Sequence, residues 1–128
     1  MLRLLPVAAF LLSTALHAQP ASPEAFLGYA LGERFTPHHR VVDYVTSVAE
    51  ESERVHLMPY GETPEGRPLL ALVVSGAGVA PEAVQTSVQA SVRGEGEPSH
   101  AVVWLSYNVH GNESVSTEAA MATLYELA

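Results

Sequence analysis

An α/β layered fold is predicted by three features of the chain. Two apolar runs of strand length, "RVHLMPY" (54–60) and "PLLALVVS" (68–75), flank a segment rich in turn formers. A third run, "AVVWLSY" (101–107), is apolar at nearly every position. Segments with apolar residues at helical spacing lie between and around these runs. Helices alternating with buried strands pack in layers around a common core. With 128 residues, 48% of them hydrophobic, the chain can bury one small core of this kind.

The first segment stands apart from the fold. "MLRLLPVAAFLLSTALHA" has one early base, Arg3, an apolar run from Leu4 to Leu12, and small residues up to Ala18. That layout predicts a signal peptide over residues 1–18, cleaved after Ala18, and a protein exported to the periplasm or the extracellular space. The apolar run is too short to span a bilayer, so no membrane span is expected in the mature chain. Residues 19–128 are then the folded portion.

"QPASPEAFLGYALGERFT" (19–36) carries two prolines and two glycines and reads as mostly loop with a short helical turn. Thr36 before Pro37 is a helix start, because threonine caps well and proline is tolerated at the first helical position. Val41, Val42, Val45, Val48 and Ala49 continue the helical spacing. Glu50, Glu51 and Glu53 oppose the helix dipole at its far end, so the helix should fray by Ser52. The strands at 54–60 and 68–75 should pair antiparallel across "GETPEGR". A helix is expected over 80–93, a loop over 94–99, and an interior third strand over 101–107 that places Trp104 in the core. From Ser116 a last helix should run to the chain end with Ala120, Met121, Leu124 and Tyr125 inward. The sequence stops at "LYELA" inside that helix with no glycine cap or polar tail, which predicts the front part of a longer protein.

Charge and composition exclude several classes. Acids outnumber bases by 14 to 6, for a net charge of -8. Such a surface repels phosphate backbones and anionic lipid, so neither nucleic acid nor a membrane surface is an expected partner. There is no cysteine, so no disulfide supports the core and no thiolate serves as ligand or nucleophile. Any transition-metal site must use histidine and carboxylate.

One stretch has that chemistry. "SYNVHGNES" (106–114) holds His110 and Glu113 three residues apart, where the third apolar run meets the last helix. In layered folds such junctions gather functional side chains. Residues three apart on a helical turn face one side, and zinc accepts imidazole nitrogen with carboxylate oxygen. Gly111 should let the backbone turn sharply there and keep bulk away. Binding would require neutral His110 and so weaken in acid. The plainer reading keeps His110 as a turn residue and Glu113 as an acid favoured by the helix N-terminus. By spacing alone the two readings stay open, since a chain of this make-up holds such a pair by chance about half the time.

Longer motifs point to a family. "YGETPEGRPL" (60–69), "HGNE" (110–113) and "FLGYALGERFTPHHRVVDY" (26–44) together resemble the N-terminal part of the zinc carboxypeptidases of the M14 type, in a secreted bacterial-like subgroup. The resemblance runs over nearly all of residues 24–128. It implies a partial three-layer α/β/α domain with a mixed sheet, zinc-carboxypeptidase-like and truncated at its C-terminus. It also implies His110 and Glu113 as ligands of Zn2+, a peptide or protein substrate, and hydrolysis at a peptide C-terminus. The second histidine of the family's His₂Glu set (which general accounts of zinc sites give for carboxypeptidase A), its general-base glutamate and its oxyanion arginine are all expected beyond residue 128. The chain alone is therefore expected to be inactive. Many members carry arginine just before the ligand glutamate, where this chain has Asn112. "HGNE" is also typical of the related aspartoacylase and desuccinylase branch, which cleaves N-acyl amino acids. That branch and a non-catalytic binding module are the alternatives; the "EGRPL" segment and the leader favour the peptidase.

Other conspicuous residues suit structural roles. His38 and His39 are adjacent on a helix and diverge by about 100°. Arg67 at a strand start suits an ion pair. His56 and His100 have no partner nearby in sequence. No phosphate loop or nucleophile elbow is present.

Overall fold

A computed structural model describes residues 19–76, 78–95 and 101–128 of the protein. The leader segment 1–18 and His100 lie outside the described residues. The chain runs α1 (Pro23–Leu27), α2 (His38–Glu51), β1 (Val55–Glu62), β2 (Pro68–Val74), α3 (Pro81–Arg93) and α4 (Ser114–Leu127).

Local chemistry accounts for most element ends. The Ser22 hydroxyl accepts from Ala25 N–H at 3.2 Å and opens α1; Gly28, at φ 81°, closes it in the left-handed conformation that glycine adopts at no steric cost. Helix α2 ends at Ser52, as the crowd of acids predicts. Its start differs from expectation. Pro37 is the cap and, having no polar side-chain atom, supplies no side-chain bond, while the Thr36 hydroxyl is engaged in buried tertiary contacts.

β1 and β2 pair antiparallel from Val55↔Val74 to Glu62↔Pro68, with an irregularity between Pro59 and Gly61. Proline cannot donate to a ladder, and a bulge is one of the places where a strand tolerates it. The turn closes through Thr63 N–H to Arg67 O and Gly66 N–H to Thr63 O, both at 2.8 Å. Arg67 pairs with Glu65 at 2.9 Å, the structural role expected of it.

The core is built on α2, which contacts α1, β1 and α4. Leu27, Tyr44, Val45, Val48, Val55, Met121 and Leu124 are its buried members. The expected inner face of α4 holds for Met121 and Leu124, while Ala120 and Tyr125 are only half-buried. Phe26 meets Tyr44 edge to face at 5.3 Å, and the Tyr44 hydroxyl donates to Ala21 O at 3.2 Å.

The third strand does not form. Residues 101–108 have no regular structure, and Val103 and Trp104 are 78% and 81% exposed. Among the described residues the sheet has two strands and is antiparallel, not mixed. An apolar run reports that a segment would gain by burial, but a strand also needs neighbours for its amides and carbonyls. Among the described residues β1 and β2 pair only with each other.

Tyr44 makes the fold sensitive to alkali. Burial, reinforced by the negative fields of Tyr125, Glu24 and Glu51, pushes its phenol up to about 12. An unfolded phenol ionises near ~10. The native state therefore holds this proton more tightly, its contribution is complete below pH ~10, and it is lost as pH rises through 12. Denaturation at pH 9 and at pH 12 should differ by about 2 kcal/mol through this group. Tyr44→Phe should remove that part of the difference; an unchanged alkaline loss in the variant would contradict the assignment.

Candidate metal centre

His110 and Glu113 lie on the turn that leads into α4. Glu113 N–H donates to His110 O at 3.1 Å, closing one turn, and Ser116 N–H donates to Glu113 O at 3.0 Å as the helix begins. Glu113 occupies the cap position without a side-chain cap bond of its own. Its carboxylate turns back instead. One oxygen lies 2.7 Å from His110 Nδ1, and the other accepts from His110 N–H at 3.2 Å. The two side chains are 72% and 40% exposed, so the pair is open to a ligand from solvent.

The electrostatics follow from these contacts. The hydrogen bond from the His110 ring, then that from His110 N–H, holds the Glu113 carboxyl below the usual carboxylate range, with a smaller contribution from Val109 N–H. A carboxylate acceptor requires a proton on Nδ1, so the contact is a hydrogen bond, and a metal held by Nδ1 would have to take that proton's place.

The donor chemistry fits zinc. Imidazole nitrogen and carboxylate oxygen are both zinc donors, and Nδ1 and a Glu113 oxygen lie 2.7 Å apart; a cation held by both would displace the Nδ1 proton. The set is incomplete, however. Among the described residues no three histidines or carboxylates come together. His38 and His39 are exposed at the start of α2, and His56 is exposed on β1; none joins the pair.

The turn does not use glycine as expected. Gly111 is not in the left-handed region, and a Cβ there would meet nothing within 4 Å. The left-handed residue is Asn108, at φ 53°. Its side-chain amide donates to Thr117 Oγ1 on α4, and the Tyr107 hydroxyl bonds Thr123 Oγ1 at 3.1 Å on the same helix.

A buried carboxylate anchors the other side of α4. Glu118 is 8% exposed. Gly32 N–H donates to one of its oxygens at 2.6 Å and the Thr36 hydroxyl to the other at 3.0 Å; the Tyr29 hydroxyl in turn donates to Thr36 at 3.1 Å. Residues 29–36 are thereby tied to the helix that follows His110 and Glu113. Glu118 was not anticipated from sequence, although it stands three residues before buried Met121 on the same helical face.

The pair thus follows the family's His-x-x-Glu pattern at a helix entrance, and the model of one protein family, zinc carboxypeptidase of the M14 peptidases, matches residues 41–128. The chain belongs to the zinc carboxypeptidase family. Zinc carboxypeptidases are zinc-dependent hydrolases of peptides, so zinc and a peptide substrate are the ligands that membership implies. Comparisons with curated proteins and with solved structures give no match. The matched stretch contains both strands, α3, α4 and the His110–Glu113 pair. Among the described residues no helix is long and apolar enough to cross a membrane.

Proposed function

We propose that this protein is an exported zinc metallocarboxypeptidase in which His110 and Glu113 are two of the metal ligands. The observation that carries the reading is the 2.7 Å contact that brings the His110 ring and the Glu113 carboxylate together, on the matched family stretch, at an exposed helix entrance. When bound, zinc polarises the scissile carbonyl and lowers the pKa of a coordinated water. In this chain His110 holds its ring through Nδ1 against the Glu113 carboxylate, and the turn into α4 keeps both donors on one side. A third ligand, a general-base carboxylate and an oxyanion-stabilising group come from outside residues 19–128, and residues 19–128 alone are inactive. Residues 1–18 direct export. The complete domain is a three-layer α/β/α arrangement with a mixed sheet. Two features support it: β1 and β2 each keep an unpaired edge among the described residues, and apolar side chains from Val102 to Val109 lie exposed, suited to cover by further elements.

Asn112, where many family members carry arginine, favours a second reading, a zinc amidohydrolase acting on N-acyl amino acids. Assaying the full-length protein on a peptide with a free C-terminus, the same peptide amidated, and an N-acyl amino acid separates the two. Chelator-sensitive cleavage of the free-acid peptide, restored by zinc, is expected. Turnover of the acyl amino acid alone would transfer the assignment to the amidohydrolase.

A further inference from the structure

We infer that Asn108 is a positioning residue for the metal pair, acting through its left-handed backbone and its hydrogen bond to Thr117; this rests on His110 and Glu113 being ligands. Asn108 is the non-glycine residue with positive φ among the described residues, at 53°. It stands two residues before His110, where the unpaired segment 101–108 bends into the turn that precedes α4. The left-handed region is costly for side chains with a Cβ, and asparagine tolerates it best because its short amide bonds locally. Here the amide bonds Thr117, which is 7% exposed and sits next to anchored Glu118.

The consequence is geometric. Glu113 is fixed by α4, whose first turn it caps. His110 belongs to the incoming segment, which has no strand partner to hold it. Asn108 ties that segment to the helix that carries Glu113, one turn beyond the pair. With the Tyr107–Thr123 bond it forms a two-point attachment on one helix. Residues that orient ligands without touching the metal govern affinity through the entropy of holding the donors together.

The test measures zinc affinity of the full-length protein by chelator competition, together with the ligand-field spectrum of its cobalt-substituted form and the thermal midpoint of its metal-free form. Asn108→Ala removes both the backbone preference and the hydrogen bond; zinc affinity should fall about tenfold or more. Asn108→Gly restores the backbone freedom and should recover affinity to within about threefold. Thr117→Val removes the hydrogen bond alone, as Asn108→Gly also does, and should lower affinity by a similar small factor with a shifted cobalt spectrum. A purely structural role would lower the metal-free midpoint and leave affinity and spectrum unmoved. Unchanged affinity in Asn108→Ala overturns the inference, as does Asn108→Gly binding no better than Asn108→Ala. Should Asn108→Ala not fold, Thr117→Val decides: affinity equal to the unaltered protein overturns it. Unchanged zinc binding in His110→Ala would instead refute the ligand assignment, and the inference falls with it.

Discussion

On the proposed assignment of His110 and Glu113 as zinc ligands, alanine at either should lower the zinc affinity of the full-length protein by more than about 100-fold. Loss of an outer partner of a metal ligand already costs about 10- to 100-fold, and loss of the ligand itself must exceed that range. Each substitution removes one donor and also frees the other. Without Glu113, the His110 ring loses the acceptor at 2.7 Å that fixes its tautomer and orientation. Without His110, Glu113 keeps its N–H contact from the backbone at 3.2 Å but loses the ring hydrogen bond that most favours its ionised form. Fold stability in the metal-free protein should change little, because the His110 side chain is exposed and that of Glu113 is half-buried at the chain surface, outside the core. Equilibrium dialysis with metal analysis, run beside thermal denaturation, checks both halves. Zinc retained at the unaltered stoichiometry in either variant would mean that the metal sits elsewhere.

Glu118→Ala should be the most destabilising polar substitution, at about 3 kcal/mol. Two donors, Gly32 N–H and the Thr36 hydroxyl, point at this carboxylate in a nearly closed environment. A hydrogen bond to a charged group contributes about 1.5–3 kcal/mol, and a buried donor left without an acceptor loses its hydration as well. Alanine leaves both donors unsatisfied and opens space beside Met121. Glu118→Gln should cost less, about 1 kcal/mol, because its oxygen can still accept from one donor while its NH₂ group confronts the other. Urea denaturation of the three proteins gives the order directly. Equal stability of Glu118→Ala and the unaltered protein would show that the carboxylate network does not hold residues 29–36 to α4.

Much of the local structure was legible in the chain. Helical spacing of Val41, Val45 and Val48 placed α2, and the paired apolar runs around "GETPEGR" placed the hairpin, because local periodicity and turn chemistry act over a few residues. His-x-x-Glu at a helix entrance was also legible, since a one-turn separation brings side chains together whatever surrounds them. Family membership, expected from the "EGRPL" and "HGNE" segments, is shown by the match over residues 41–128.

What tertiary structure alone decided concerns partners distant in sequence. Nothing in "STEAAM" states that Glu118 will meet Gly32 and Thr36, more than eighty residues away. Thr36 was expected to cap a helix by accepting an N–H, but its oxygen accepts from the Tyr29 hydroxyl and its O–H donates to the buried Glu118 carboxylate. The apolar run at 101–107 was expected inside a sheet, and it lies exposed because burial requires a neighbouring strand that its own residues cannot supply. The turn before His110 was expected to depend on Gly111, yet the left-handed conformation falls on Asn108, where Thr117 meets its amide. Sequence by itself determined the helices, the hairpin and the contact of His110 with Glu113, because those depend on near neighbours along the chain. The packed chain decided which polar groups found each other, because desolvation must be offset by whatever partner the fold brings close.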